Sequence, residues 1–220
     1  MTHAVAQEPA RQDTKTRILD AAERLFAEQG FAATSLRQIT RVAKANLAAV
    51  NYHFQSKDSL VEAVLRRKIG WINDRRLELL DAEEGAGGPV TLEGVFRTFF
   101  QPLFEAEQQG VDLASFPRLL SRVYGDEQES MMPLFRSAFG GVIARYRAAF
   151  HRAAPGLGQR AMALAFHFSI GSMAHYLAAG KMLELLSGGS GAYSREEVVE
   201  QLVRFCAGGV KAMGEGEAGR

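Results

Sequence analysis

The stretch Thr34 to Lys57, TSLRQITRVAKANLAAVNYHFQSK, carries two helix-start signals in close succession, and the rest of the chain has to be arranged around it. Ser35 is followed three residues on by Gln38, the capping box in which a hydroxyl and an amide satisfy each other's orphan backbone donors. A helix therefore starts at Ser35. Leu36, Ile39, Val42 and Ala43 fall at helical spacing on one face, and Arg37, Arg41 and Lys44 lie off it. A turn comes next at Lys44-Ala45. Asn46 then caps a second short helix, Leu47 to Phe54, whose Val50 and Phe54 recur at i, i+4 and pack inward, leaving Ala48, Asn51, Tyr52 and Gln55 facing out. Two short helices joined by a tight turn form a helix-turn-helix.

Charge gives this pair a partner. Between Gln29 and Lys57 there are four basic side chains, Arg37, Arg41, Lys44 and Lys57, and no Asp or Glu, so a phosphate backbone meets attraction without repulsion. The net charge of the whole chain is only +1, but residues 1 to 80 hold 13 Lys and Arg against 9 Asp and Glu, and the remainder is acidic. The basic half carries the nucleic-acid reading.

The run Arg17-Ile18-Leu19-Asp20-Ala21-Ala22 with Leu25-Phe26 and Gly30-Phe31, then Thr34-Ser35 and Ile39, then Tyr52-His53-Phe54, Ser56-Lys57-Asp58 and Leu60, resembles the amino-terminal domain of the TetR family of one-component regulators. The resemblance covers about residues 13 to 68. It implies an all-α fold: a three-helix DNA-binding domain over 13–58, then a helical ligand-binding and dimerisation domain over 59–213, between tails 1–12 and 214–220 expected to be disordered. The DNA-contacting candidates are Ser35, Arg37, Lys44, Asn46, Leu47, Ala48, Asn51, Tyr52, His53 and Lys57. Asn51 suits an adenine edge, Tyr52 and Ala48 suit thymine methyls or sugar, and Lys57, Arg37, His53 and the amides near Ser35 and Ser56 suit phosphates. The chain departs from the family in having Lys44 where a Gly is usual in the turn, and Leu47 where a basic residue or Pro is common.

Asp13 or Thr14 opens a first helix that runs to Gln29, buries Ile18, Ala22, Leu25 and Phe26, and stops at Gly30. Ser56 caps a long helix with an apolar stripe of Leu60, Val64, Leu65, Ile69 and Ile72, closing at Leu79-Leu80 and running to about Glu83. This helix links the DNA-binding domain to the second half of the chain, and Trp71, midway along it, is expected to pack between the two domains. Past the break at Gly85 to Pro89, Thr91 caps a helix that Pro102 should bend.

Of 14 Phe, 11 lie after residue 90. Phe96, Phe99, Phe100, Leu103 and Phe104 form a cluster joined by Phe116, Leu119 and Leu120, by Met131, Met132, Phe135 and Phe139, and by Phe166 and Met173. A Phe and Met stripe at helical spacing is core in many proteins. In a family whose members commonly hold an apolar effector here, it looks like the wall of a ligand pocket, with Arg118, Arg122 or Arg136 as candidates to anchor an acidic head group.

Gln159 to Leu186 and the helix capped by Ser194 look like a dimer interface: small residues alternate with large apolar ones, and Val198, Val199, Leu202, Phe205 and Cys206 are expected inward. Cys206 is the single cysteine, so no disulfide forms within the chain, and the five histidines are scattered; no metal or cofactor is expected. No apolar run spans a bilayer and no secretory core is visible, which predicts a cytoplasmic protein with no membrane partner. No phosphate-cradling loop, nucleophile elbow or catalytic grouping points to an enzyme.

The expected function is a repressor that binds a palindromic, double-stranded DNA operator as a homodimer through its last two long helices. An apolar small molecule, a fatty acid or acyl-CoA among the choices, releases it. The rivals are a regulator answering flat aromatic drugs and a ligand-binding helical adaptor that does not read DNA.

Overall fold

The computed structural model describes residues 13–106, 128–188 and 193–218, and the side chains of these residues except 128, 130, 131, 180, 181 and 215–218. The described residues contain eight α-helices and no strand. They are α1 (Thr14–Gln29), α2 (Leu36–Ala43), α3 (Leu47–Phe54), α4 (Lys57–Gly85), α5 (Leu92–Ala106), α6 (Gln128–Ala153), α7 (Gln159–Leu186) and α8 (Arg195–Ala218). The proposed tail 1–12 and the segment carrying Phe116, Arg118, Leu119, Leu120 and Arg122 lie outside the described residues.

Local chemistry sets the ends of the first helices. The Asp13 carboxylate accepts from the Thr16 amide at 2.8 Å and starts α1, and Gly30 ends it at φ 87°, where a Cβ would strain the backbone. The Thr34 hydroxyl is buried and donates to the Gly30 carbonyl at 2.7 Å, which locks the loop before α2. Ile18, Ala22, Leu25 and Phe26 of α1 meet Ile39 and Ala43 of α2, Val50 and Phe54 of α3, and Leu60, Val61, Val64 and Leu65 of α4 in one small core.

α4 belongs to both halves of the molecule. Its first half completes that core, and Ile69, Ile72 and Leu80 enter a second, larger one. Arg67 bridges Asp20 at 2.7 Å and Glu23 at 2.6 Å, and the buried Lys68 reaches Glu23 at 2.6 Å, so α1 is braced along α4 by charge as well as by packing. α6 crosses the boundary too, because Phe135 and Ala138 pack against both cores.

The second core is built on α5. The Thr91 hydroxyl accepts from the Gly94 amide at 3.0 Å and starts this helix, which continues through the buried Pro102 to Ala106. Phe96 meets Phe150 at 4.7 Å and Phe99 meets Tyr146 at 5.0 Å between ring centroids, in the edge-to-face geometry aromatic rings prefer. Val199, Val203, Cys206, Ala207 and Val210 close the core from α8 at helical spacing. Phe205 lies off that stripe and is 70% exposed, which corrects the expectation that it faces inward. α8 itself continues to Ala218, past Met213, where the sequence suggested that the ordered fold ends.

Candidate nucleic-acid interface and aromatic core

Both halves of the helix-turn-helix are capped as their residue types require. Ser35 Oγ accepts from the Gln38 amide at 3.2 Å while the Ser35 amide donates to Gln38 Oε1 at 2.7 Å. Asn46 Oδ1 accepts from the Ala49 amide at 2.8 Å. The side chains of Ser35 and Asn46 are thereby engaged in capping the two helices.

The turn is a Schellman motif without glycine. Lys44 sits at φ 50°, ψ 46°, its amide pointing to the Arg41 carbonyl at 3.4 Å, and the Ala45 amide closes onto Thr40 at 3.0 Å. The left-handed residue that the family usually supplies as Gly is here a lysine, and its side chain is exposed.

Val50 and Phe54 hold α3 on the core, and its other face is open. Leu47, Ala48 and Asn51 are exposed and Tyr52 is 83% exposed, a large aromatic side chain that the described residues leave open to solvent. His53 is half-buried with its ring 5.0 Å from that of Tyr52. Arg37 and Arg41 are exposed on α2, and Lys57 Nζ lies 3.4 Å from the Ala32 carbonyl, which places the start of α4 beside the loop that leads into α2. His53 also helps to hold the Asp13 carboxyl below its ordinary value, after the larger effect of the Thr16 amide, so α3 lies near the start of α1.

One feature of the helix-turn-helix had no clear signal in the sequence. Gln55 takes φ 65°, ψ −44°, and the Ser56 amide closes onto the Phe54 carbonyl at 2.7 Å, a strained γ-turn that links the recognition helix directly to α4. The direction of α4 is thus set within two residues of α3.

In the second domain Phe96, Phe99, Phe100, Leu103, Phe104, Phe139 and Met173 are buried, and the half-buried Phe166 reaches Phe99 at 5.2 Å and Phe150 at 5.5 Å. Phe135 stacks on Phe139 at 4.1 Å. Phe116 and Leu120, like the side chain of Met131, are outside the described residues, and Arg136 is exposed on α6.

Tyr146, Phe150 and Arg76 complete the cluster, and sequence reasoning missed all three. The Tyr146 hydroxyl donates to the Arg76 carbonyl at 3.1 Å and lies 3.1 Å from Thr98 Oγ1, and burial pushes its pKa up to about 12. Arg76 was legible in retrospect: Ile69, Ile72 and Leu80 define a stripe that passes through position 76, and a charged residue fills that place.

Among the described residues no three His, Cys, Asp or Glu side chains gather as a metal site needs, and no helix is long and apolar enough to cross a membrane.

Part of the uncovered surface of α7 and α8 is apolar. Leu164, Phe168, Met182, Leu185 and Leu186 of α7 and Phe205 of α8 are exposed.

A capped helix-turn-helix with an open, acid-free recognition face, carried on a long helix that is shared with a second helical domain, defines a helix-turn-helix regulator of the two-domain, all-α type. Residues 18–64 match the family model described as "Bacterial regulatory proteins, tetR family", and residues 97–209, just over half of the chain, match "Tetracyclin repressor-like, C-terminal domain". The chain belongs to the TetR family.

Among curated relatives, the HTH-type transcriptional repressor KstR2 of Mycolicibacterium smegmatis is 32% identical over 107 residues, 48% of this chain and 49% of that protein. The HTH-type transcriptional repressor Rv3405c of Mycobacterium tuberculosis is 51% identical over 55 residues, 25% of this chain and 29% of that protein. The chain thus spans about half the length, or less, of the curated relatives it matches. Among solved structures, the fatty acid degradation regulator FadR from Bacillus halodurans aligns over 91% of this chain and 98% of its own, with a TM-score of 0.61 at 14% identity. Mycobacterium smegmatis AmtR aligns over 97% and 98%, with a TM-score of 0.54 at 20% identity. At these identities the likeness is one of fold.

Proposed function

We propose that the chain is a transcriptional repressor that binds a palindromic operator as a homodimer, through α3 of each copy, and leaves it when an apolar small molecule enters the aromatic core. The observation that carries this reading is the open face of α3. Asn51, Ala48 and an 83%-exposed Tyr52 stand on a helix capped at its start and anchored from behind by Val50 and Phe54. Exposed side chains that can pair with base edges, on a helix flanked by Arg37, Arg41, Lys44 and Lys57 with no acid between, suit the major groove.

The exposed Leu164, Phe168 and Phe205 support pairing through α7 and α8, because a monomer gains nothing from presenting large apolar side chains to water. The KstR2 relatives are repressors by name, and the structural neighbour from Bacillus halodurans is a fatty acid degradation regulator by name; both favour repression and an apolar effector here. α4 and α6 each reach both cores, so a ligand that fits two arrangements of the second core unequally shifts the separation of the two recognition helices.

The test is selection of bound duplexes from a random DNA library by the purified chain at about physiological salt. An inverted repeat with half-sites about one helical turn apart is expected. Recovery of unrelated sequences would reject the reading.

A further inference from the structure

Among the described residues Arg76 is the one strongly buried guanidinium of the aromatic core, 5% exposed, and no carboxylate among them forms an ion pair with it. Its Nε donates to the Phe99 carbonyl at 2.9 Å and its Nη1 to Asn73 Oδ1 at 3.2 Å. The guanidinium carbon stands 3.9 Å from the centroid of the Phe99 ring. Nη2 has no acceptor among the described residues.

Several other strongly basic groups near the two cores have carboxylate partners. Lys68 has Glu23, Arg67 has Asp20 and Glu23, Arg75 has Glu78 and Glu105, and Arg145 has Asp81 and Glu84. Burial pulls the Arg76 pKa down only to about 10, so the group still carries its charge at neutral pH. A buried cation that keeps its charge with no counter-ion among the described residues, with a donor to spare and the Phe99 ring against it, is chemically a seat for an anion on an apolar body.

We infer that Arg76 receives the anionic head group of the effector, and that the effector is an apolar molecule ending in a carboxylate. The acid accepts from Nη2 beside the Phe99 ring, and the apolar body lies among the phenylalanines of α5 and α6. This rests on the aromatic core being the effector site. It moves the head-group anchor from Arg118, Arg122 and Arg136, the candidates apparent from sequence, to the middle of α4, the helix that carries the DNA-binding domain.

The experiment compares matched pairs that differ only in head group, dodecanoate with 1-dodecanol and 2-naphthoate with 2-naphthol, by calorimetric titration of the full chain. The wild type should bind the acid of at least one pair about tenfold more tightly than the alcohol, as a charge-assisted hydrogen bond implies. Arg76→Met should abolish that preference while still binding the alcohol, and Arg76→Lys should keep part of it. If Arg76→Met fails to fold, Arg76→Gln, long enough to keep a bond to the Phe99 carbonyl, takes its place.

A purely bracing role for Arg76 would lower stability in the variants and leave the acid-to-alcohol ratio unchanged, which overturns the inference. Equal binding of acid and alcohol by the wild type also overturns it and leaves the apolar effector standing. No binding of any of the four compounds removes the head-group seat and the effector core together, whereas operator selection is unaffected by that result.

Discussion

Ser137 on α6 donates a 2.7 Å hydrogen bond to the carboxylate of Glu62, on the half of α4 that belongs to the DNA-binding core. Arg66 holds the same oxygen at 2.8 Å. The second domain therefore grips the first through a polar contact beside the packed Phe135 and Ala138, at the level where α4 leaves the DNA-binding domain. Ser137 and, after it, Arg66 hold the Glu62 carboxyl below its ordinary value of 4.5.

Because the folded pKa of Glu62 is depressed, its contribution to stability is present above its ordinary value and lost as pH falls through the folded one. Ser137→Ala is expected to cost about 0.5–1 kcal/mol at pH 7, with solvent screening keeping it toward the low end. The difference from wild type should shrink between pH 7 and an acid pH below the depressed folded value, where the carboxyl is protonated in both folded and unfolded chains. Urea denaturation at the two pH values measures it. A gap that survives unchanged in acid would mean the bond is not what Ser137 contributes.

Lys44→Gly separates fold from charge. A lysine at φ 50° carries a steric cost that glycine does not, so the substitution should leave the chain as stable or raise stability by up to about 1 kcal/mol, despite glycine's greater freedom in the unfolded state. It also removes one cation from the recognition face. If Lys44 touches a phosphate, the salt dependence of operator binding should fall by about one unit of slope. A rise in thermal midpoint with an unchanged slope would place Lys44 in the turn alone.

Asn51→Ala and Lys57→Ala should differ in kind. Losing a base-edge partner costs about 1–3 kcal/mol on the preferred operator and little on random DNA. Losing a phosphate contact weakens both alike and flattens the salt dependence. Anisotropy titrations on both duplexes at several salt concentrations read the two effects, and identical behaviour of the variants would contradict the assigned roles.

Phe205→Asp tests the surface of α7 and α8. The side chain is 70% exposed in the single chain and packs against nothing that the fold requires. The variant should keep its helical circular dichroism, sediment as a monomer, and lose most of its operator affinity. A variant that remains a dimer would exclude Phe205 from the interface.

The elements that sequence made legible are those whose cause is local. Ser35 with Gln38 and Asn46 with Ala49 are caps made within a single turn, and they put the boundaries of α2 and α3 where the structure has them. The Thr91 cap and the aromatic face of α5 were visible for the same reason. What stayed hidden depends on a second element. Phe205 was expected inward because it is apolar, yet the stripe Val199, Val203, Cys206, Ala207 and Val210 that packs on α5 excludes it by phase.

Arg76 falls on the stripe of Ile69, Ile72 and Leu80, but its residue type is that of a surface charge. Only the approach of α5, with the Phe99 carbonyl and ring, shows that it is enclosed. Gln55 has no residue-type signature for positive φ, and its γ-turn comes from the need to pass from α3 to α4 while both stay on the same core.

The central claim is symmetric recognition, two copies of the chain on one two-fold operator. Native mass spectrometry of the chain with the selected duplex tests it most directly, since the mass counts the copies. Each chain weighs 24.1 kDa. The account predicts that the free protein has twice that mass, and that the smallest specific complex holds two chains per inverted repeat, with none holding one. A free monomer that binds a single half-site with the affinity of the whole operator would contradict it.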